Sequence, residues 1–184
     1  MNWDWLLGFI EGEGNFNIVF TNQIIKCINC YQILFNITIT QNDLDSLNQI
    51  KLFLKDYNID CKIYSNNTGK FTHYLKIYKQ KDINLFLQQL LKLSWFTKKK
   101  ESFQIFVLLF NKYSDFRKDI DFTKNIISLT NKQKNDIYLF YEEVFLNYIQ
   151  RKKLTNKGRK AKRIITLQDI KNSILQAPAV PSHH

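Results

Sequence analysis

The chain of 184 residues contains few of the residues that break or cross-link a fold: five glycines, two prolines and three cysteines. Three cysteines are too few for a disulfide framework. Cys27 and Cys30 form a lone CxxC pair without a second pair or a nearby histidine, which favours reduced thiols over a zinc site. No apolar run approaches the roughly 18 to 20 residues of a membrane-spanning helix, and the N-terminus lacks the pattern of a signal peptide. These absences predict a soluble protein in a reducing compartment.

Positive charge, in contrast, is abundant. The 27 Lys and Arg residues outnumber the 16 Asp and Glu residues and give a net charge of +11, while a 45% hydrophobic composition excludes intrinsic disorder. Residues 1–90 carry eight basic and eight acidic side chains, and residues 91–184 carry 19 and eight. Because Lys and Arg neutralise phosphates, the surplus predicts a polyanionic partner. Charge alone does not choose between DNA, RNA and an anionic membrane surface.

Hydrophobic periodicity predicts an α+β fold with the order αββαββα and further C-terminal helices. Helical spacing covers residues 3–12, 43–57, 82–93, 99–113, 130–151 and 166–175, and alternation indicates strands at 15–20, 31–40, 61–66 and 71–78. Four antiparallel strands with helices on the apolar face leave a polar face open to a ligand.

Two acidic residues, Glu11 and Glu13, flank Gly12 where the first helix is predicted to end. Carboxylates at a helix C-terminus are opposed by the helix dipole, so a divalent cation is one candidate to compensate them. The alternative is that both side chains are merely exposed. Gly8 and Gly12 are four residues apart and share a helix face without side chains, which permits another backbone to come close.

A basic run covers residues 151–163, with eight basic and no acidic side chains. One interpretation is a solvated, flexible linker. The other is a loop that embraces a phosphate backbone, and the helical pattern beyond it at residues 166–175 would anchor its far end.

The sequence LLGFIEGEG at residues 6–14 resembles the signature of the LAGLIDADG homing endonucleases. The predicted element order, the strand ending ITITQ before a capped helix, and the lysines at 98–100 resemble the same family. With one motif, the chain is similar to the homodimeric members. The resemblance implies an intron-encoded enzyme that cleaves both strands of a long pseudo-palindromic DNA site, leaves 3′ overhangs, and binds DNA on a four-stranded, saddle-like sheet.

The resemblance also assigns candidate catalytic residues. It places the metal-binding acid at Glu13, with the carbonyl of Gly12 as a neighbouring ligand, and implies Mg²⁺ as the cofactor, with Mn²⁺ or Ca²⁺ able to occupy the same sites. Gln41 matches a residue that orders water. Lys98 matches the active-site lysine, although Lys99 or Lys100 is an open alternative within the run.

Further candidates line the dimer interface and the DNA. Two motif helices packed on a two-fold axis would place Gly8, Gly12 and Leu7 at the interface. Candidate readers of base edges on the polar sheet face are Asn17, Gln32, Asn36, Thr38, Lys62, Tyr64, Asn66, Tyr74 and Lys76. Candidate phosphate contacts are Lys152, Lys153, Arg159, Lys160, Lys162 and Arg163.

The domain prediction is a core at residues 1–150, a basic loop and C-terminal helix of the same domain at 151–176, and a flexible tail or cloning remnant at 177–184. The A/T-rich codon bias implied by abundant Asn, Ile and Lys points to an organelle or phage gene, and we expect an organelle, either mitochondrion or chloroplast. Two alternatives on the same fold remain: an RNA maturase that assists splicing of an intron RNA, and a DNA-binding regulator without enzymatic activity.

Overall fold

The structure is a computed structural model that describes residues 1–25, 28–66, 72–119, 129–149 and 165–175. The elements, in chain order, are α1 (Trp3–Glu13), β1 (Gly14–Ile25), β2 (Ile28–Gln41), α2 (Leu44–Asp56), β3 (Lys62–Asn66), β4 (Thr72–Ile77), α3 (Gln80–Leu90), α4 (Lys99–Asp119), α5 (Asn131–Val144), a π-helical turn (Phe145–Ile149) and α6 (Leu167–Leu175). The predicted α+β class and the order αββαββα are confirmed.

The four strands form one sheet in the order β1-β2-β4-β3. Strand β4 runs antiparallel to both of its neighbours. In the register, Leu75 of β4 lies opposite Ile39 of β2 and Ile63 of β3. At the next position, Lys76 of β4 lies opposite Thr38 of β2 and Lys62 of β3. Because successive side chains alternate between faces, one face of the sheet is apolar and the other is polar.

Side-chain caps mark most of the helix starts. The side chain of Asn2 accepts the backbone N–H of Trp5 at the start of α1 (2.9 Å), and Asp43 accepts the N–H groups of Asp45 and Ser46 at the start of α2. These bonds satisfy donors that have no partner within the helix. Helix α3 begins at Gln80, so the prediction that Asp82 begins it was wrong by two residues. Asp82 lies in the first turn of α3 and is buried.

The described chain divides into two compact units. The first unit comprises residues 1–18 and 34–107. Its core lies between the apolar face of the sheet and the helices, where each side chain is at most 2% exposed: Leu6, Leu7, Ile10, Ile37, Ile39, Leu47, Ile50, Leu54, Leu75, Ile77, Ile83, Phe86 and Leu90. Cys61 is a free, buried cysteine, and burial raises the pKa of its thiol to about 11.

The second unit comprises residues 19–33 and 108–184. Within it α5 packs against α6, and the rings of Phe20 and Tyr141 meet edge to face at 5.6 Å. The basic run at 151–163 and both predicted domain boundaries, at 150 and 176, lie outside the described residues and stay predictions. Among the described helices, none has the length and apolar character that crossing a membrane requires.

Candidate active site

The candidate site is the C-terminal end of α1. Glu13 is the last residue of the helix, and its side chain is exposed. Across the part of the chain that the structure describes, its carboxylate makes no hydrogen bond and no ion pair. The last turn of α1 contains no basic residue that could offset this charge from within the helix.

Glu11, the other acid of the pair, has a different role. Its Oε1 atom accepts the backbone N–H of Phe96 at 2.9 Å and that of Thr97 at 2.8 Å, immediately before α4. Burial alone would raise the pKa of the Glu11 carboxyl, but the hydrogen bonds from Thr97 and Phe96, together with the charge of Lys99, hold that pKa below its ordinary value. The two carboxylates on either side of Gly12 therefore differ in role: the Glu11 carboxylate anchors the loop before α4, and the Glu13 carboxylate remains available.

Lys99 brings a positive charge to the C-terminal end of α1. Its Nζ atom donates to the carbonyl oxygens of Ile10 (3.0 Å), Gly12 (3.2 Å) and Gly14 (2.8 Å). Burial lowers the pKa of this ammonium, and the charges of Glu13 and Glu11 only partly oppose that shift. The Ile10 carbonyl also accepts the backbone N–H of Gly14. The ammonium adds a further donor at the end of the helix, where carbonyls lack partners within the helix, and it favourably meets the negative end of the helix dipole. We call the hydrogen bonds of Glu11 and Lys99 together the α1–α4 clasp.

Gly14 allows the chain to leave the helix at this point. A Cβ atom on Gly14 would lie 2.6 Å from Cγ2, 2.7 Å from the carbonyl oxygen and 3.0 Å from Cα of Ile10. The first two distances are too short for nonbonded atoms, and two of the three neighbours are backbone. Glycine is therefore required by space, since its backbone φ of −78° is an ordinary one.

The glycine face of α1, formed by Gly8 and Gly12, is open. A Cβ atom built on either residue meets nothing within 4 Å among the described residues. Trp5, which is 48% exposed, stacks on Phe9 at 5.3 Å. Leu7 is only 2% exposed because its side chain points into the core. Of the three predicted interface residues, only the two glycines are therefore on the surface.

The polar sheet face brings several predicted DNA-binding residues together. Tyr64 and Tyr74 lie opposite each other on β3 and β4 and stack at 5.2 Å with 19° between the ring planes. Lys62 and Lys76 occupy the adjacent row, in line with Thr38. Asn66 and Tyr64 are exposed, and Gln32 is half-buried.

Asn36 departs from the expected exposure, because it is only 7% exposed. The amide nitrogen of Asn17 donates to Oδ1 of Asn36 (3.3 Å) and to Oγ1 of Thr38 (3.1 Å). The three side chains form a cross-strand polar cluster, so Asn36 supports its neighbours within the sheet and presents little surface to a ligand.

Two other predicted catalytic residues, Gln41 and Lys98, have surroundings that do not test their roles. Gln41 ends β2, and its side-chain oxygen accepts the backbone N–H of Asn42 at 2.8 Å. Lys98 is exposed. Of the lysines at 98–100, Lys99 is the one whose ammonium hydrogen-bonds to the end of α1. The roles of Gln41 and Lys98 stay predictions, and Lys99 is the lysine of the run that hydrogen bonds hold at the end of α1.

The oxygen donors at the end of α1 suit a hard divalent cation. An unpaired carboxylate next to backbone carbonyls is a fitting partial ligand set for Mg²⁺ or Ca²⁺. The described residues contain no group of three or more His, Cys, Asp or Glu side chains able to hold a metal. Remaining ligands would have to come from phosphate oxygens, water or a second subunit.

The comparisons with known proteins agree with this geometry. The family model described as LAGLIDADG endonuclease matches residues 6–110, more than half of the chain. The chain belongs to the LAGLIDADG endonuclease family. The sequence that resembles the family's motif, residues 6–14, covers the end of α1 and the first residue of β1, and the clasp includes its first acidic residue, Glu11. No curated protein sequence matches the chain.

Solved structures of homing endonucleases share the fold. The homing endonuclease I-TnaI is 21% identical, with a TM-score of 0.57 over 84% of this chain and 95% of its own. The archaeal intron-encoded homing endonuclease I-Vdi141I, solved in complex with DNA, is 21% identical, with a TM-score of 0.62 over 94% of both chains. The homing endonuclease I-CvuI, also solved with DNA, is 16% identical, with a TM-score of 0.63 over 94% of this chain and 91% of its own.

The clasp yields a prediction about pH. Because the folded pKa of Glu11 lies below its ordinary value of 4.5, the contribution of Glu11 to stability is present above that value and is lost as the pH falls through the folded pKa. Glu11→Gln is expected to lower the free energy of unfolding by about 1 kcal/mol at pH 7. Urea unfolding of the wild type and of Glu11→Gln between about pH 3 and pH 7 should show the difference in their free energies of unfolding shrinking in acid. A difference that stays constant with pH would contradict the anchoring role of Glu11.

Proposed function

We propose that the protein is a site-specific DNA endonuclease that acts as a homodimer and cleaves both strands by metal-dependent phosphodiester hydrolysis. The observation that carries the proposal is the exposed, unpaired Glu13 carboxylate held at the rigid end of the motif helix. Family membership supports nuclease activity. The DNA complexes of I-Vdi141I and I-CvuI, which share the fold, support duplex DNA as the substrate.

In this mechanism Glu13 and the Gly12 carbonyl would hold the cation, and the α1–α4 clasp keeps both ligands at a fixed position. The bound Mg²⁺ would supply Lewis-acid activation of the scissile phosphate. A lysine of the 98–100 run lies beside the reacting phosphate and offsets the negative charge that develops on it. Gln41 orders water near the phosphate, and the two cuts leave 3′ overhangs. Mn²⁺ or Ca²⁺ would bind the same oxygen ligands as Mg²⁺.

Sequence recognition belongs to the polar sheet face. A two-stranded ribbon fits the major groove, where polar side chains meet base edges. The stacked tyrosines, Tyr64 and Tyr74, restrict each other's rotamers and present their hydroxyls at fixed positions, and Lys62 and Lys76 flank them. The basic run at 151–163 would hold phosphates and contribute affinity without specifying sequence.

Dimerisation is supported by the surface around the glycine face. Phe96 is 87% exposed, and it lines a notch of about 200 Å³ beside Gly8 and Leu7. An exposed aromatic side chain beside the bare Gly8 suits close packing against a second α1 on a two-fold axis. Each subunit would then supply one Glu13, one for each DNA strand.

The dimer has a direct test. Gly8→Leu places a bulky side chain on the glycine face and is expected to convert the DNA complex from two subunits per site to one, with loss of double-strand cleavage. The substitution should leave the fold intact, because the position is open within one chain. Sedimentation of the DNA complex measures the stoichiometry. Gln49→Leu, which adds a leucine to an exposed position of α2, is the matched control, and two bound Gly8→Leu subunits would contradict the interface.

The experiment that tests the function is incubation of the protein and Mg²⁺ with a library of DNA duplexes, followed by sequencing of the new ends. A single preferred site with staggered cuts is expected. An RNA maturase or a DNA-binding regulator would produce no ends. Glu13 favours the nuclease over both alternatives, since neither needs an unpaired acid at the end of the motif helix. We also propose an organellar origin, from the codon bias alone.

A further inference from the structure

The ammonium of Lys99 occupies a position that resembles a cation site. Three backbone carbonyl oxygens lie within 3.2 Å of its Nζ atom, and an ammonium has three protons to donate. Carbonyl oxygens are also the ligands that hard metal ions prefer. The ammonium of Lys99 therefore already occupies the cluster of carbonyl oxygens at the end of α1.

The Gly12 carbonyl belongs to both sets of interactions. It accepts a hydrogen bond from Lys99 at 3.2 Å, and it lies next to the Glu13 carboxylate that is proposed to bind the metal. A divalent ion held by Glu13 and Gly12 would therefore lie within a few ångströms of the ammonium. Two positive charges at that separation repel each other, and the partly buried position of Lys99 weakens the screening by water.

We propose that Lys99 is a positioning residue that acts as a resident cation: in the free protein it holds the Gly12 carbonyl and keeps metal affinity low. The inference rests on the proposed function for the metal site at Glu13. Bound DNA adds phosphate charge beside Glu13, which offsets the repulsion between Lys99 and the metal. Metal binding would then be strong only when DNA is present, and the free protein would stay largely without metal.

The clasp gives this arrangement its rigidity. Glu11 fixes the N–H groups of Phe96 and Thr97, and Lys99 follows two residues later, so the start of α4 is held where the ammonium reaches the end of α1. Lys98 and Lys100 are exposed neighbours in the same run, and neither makes a hydrogen bond to the end of α1 among the described residues. They are matched controls for the charge of Lys99.

The test measures Mn²⁺ binding to the DNA-free protein by loss of the free-ion electron paramagnetic resonance signal. Lys99→Met is expected to bind Mn²⁺ at least about tenfold more tightly than the wild type, while Lys98→Met and Lys100→Met bind like the wild type. Glu13→Gln in the Lys99→Met background should abolish the gain. Lys99→Arg, which keeps the charge, should keep the affinity low.

Unchanged Mn²⁺ affinity in Lys99→Met, or a gain that survives Glu13→Gln, would overturn the proposal. Circular dichroism checks that each variant is folded, and Lys99→Gln provides a second neutral variant if the methionine variant is not. The outcome is separate from that of the proposed function, because no DNA and no cleavage are involved. A wild type that cleaves DNA while Lys99→Met shows no gain would reject this inference alone.

Discussion

Glu13→Gln is expected to reduce the rate of DNA cleavage by at least about three orders of magnitude, which corresponds to about 4 kcal/mol of lost transition-state stabilisation. The amide keeps the size of the side chain and removes the charge that is proposed to bind the cation. Because Glu13 is exposed and makes no hydrogen bond to the described residues, the fold should not change. Single-turnover cleavage of the mapped site measures the rate, and a gel-shift assay in Ca²⁺ measures binding.

Affinity for DNA should stay within severalfold of the wild type, since the residues predicted to contact phosphates lie elsewhere in the sequence. Asp56→Asn, an acid-to-amide change at an exposed position of α2, is the control and should leave the rate unchanged. A Glu13→Gln enzyme that cuts at the wild-type rate would remove Glu13 from the mechanism.

Gly14→Ala is expected to lower the free energy of unfolding by about 3 kcal/mol. The new methyl group would lie 2.6 Å from Cγ2 and 2.7 Å from the carbonyl oxygen of Ile10. Ile10 is fully buried, so its side chain has little room to withdraw, and its backbone is held in the helix. The substitution therefore forces the junction between α1 and β1 apart. Chemical denaturation of the two proteins gives the difference.

Gly12→Ala is the matched control for stability. Its Cβ atom meets no described residue within 4 Å, and alanine is favoured over glycine inside a helix by about 1 kcal/mol. The free energy of unfolding should therefore be unchanged or slightly higher. Equal losses in the two variants would show that the steric explanation for Gly14 is wrong.

Much of the fold could be predicted from the sequence because the patterns are strong. Alternation over residues 31–40 set the faces of β2, and the register with β4 preserves that pattern across the sheet. Asn2 and Asp43 cap helices because a short polar side chain can accept the first free N–H groups. The start of α3 was missed because no side chain caps it, and the only nearby residue that favours a cap, Asp82, lies inside the helix.

The candidate site was only partly predictable. Glu13 and the bare glycine face follow from the motif, but the anchoring role of Glu11 depends on a loop 85 residues away in sequence. The choice among the three lysines depends on where α4 begins, since each residue turns the side chain by about 100°. Asn36 alternates correctly with the polar face and is nevertheless covered, because Asn17 reaches it across the strands. Such contacts appear only once the strands are aligned.

The most direct test uses mixed dimers that contain one wild-type and one Glu13→Gln subunit, purified with two different affinity tags. One Glu13 serves one strand in the proposed mechanism, so the mixed dimer should nick a single strand of the mapped site at close to the wild-type rate. Supercoiled plasmid carrying the site would then accumulate as the nicked circle. Cleavage of both strands by the mixed dimer, or of neither, would contradict a mechanism in which each subunit contributes its own Glu13 to one cut.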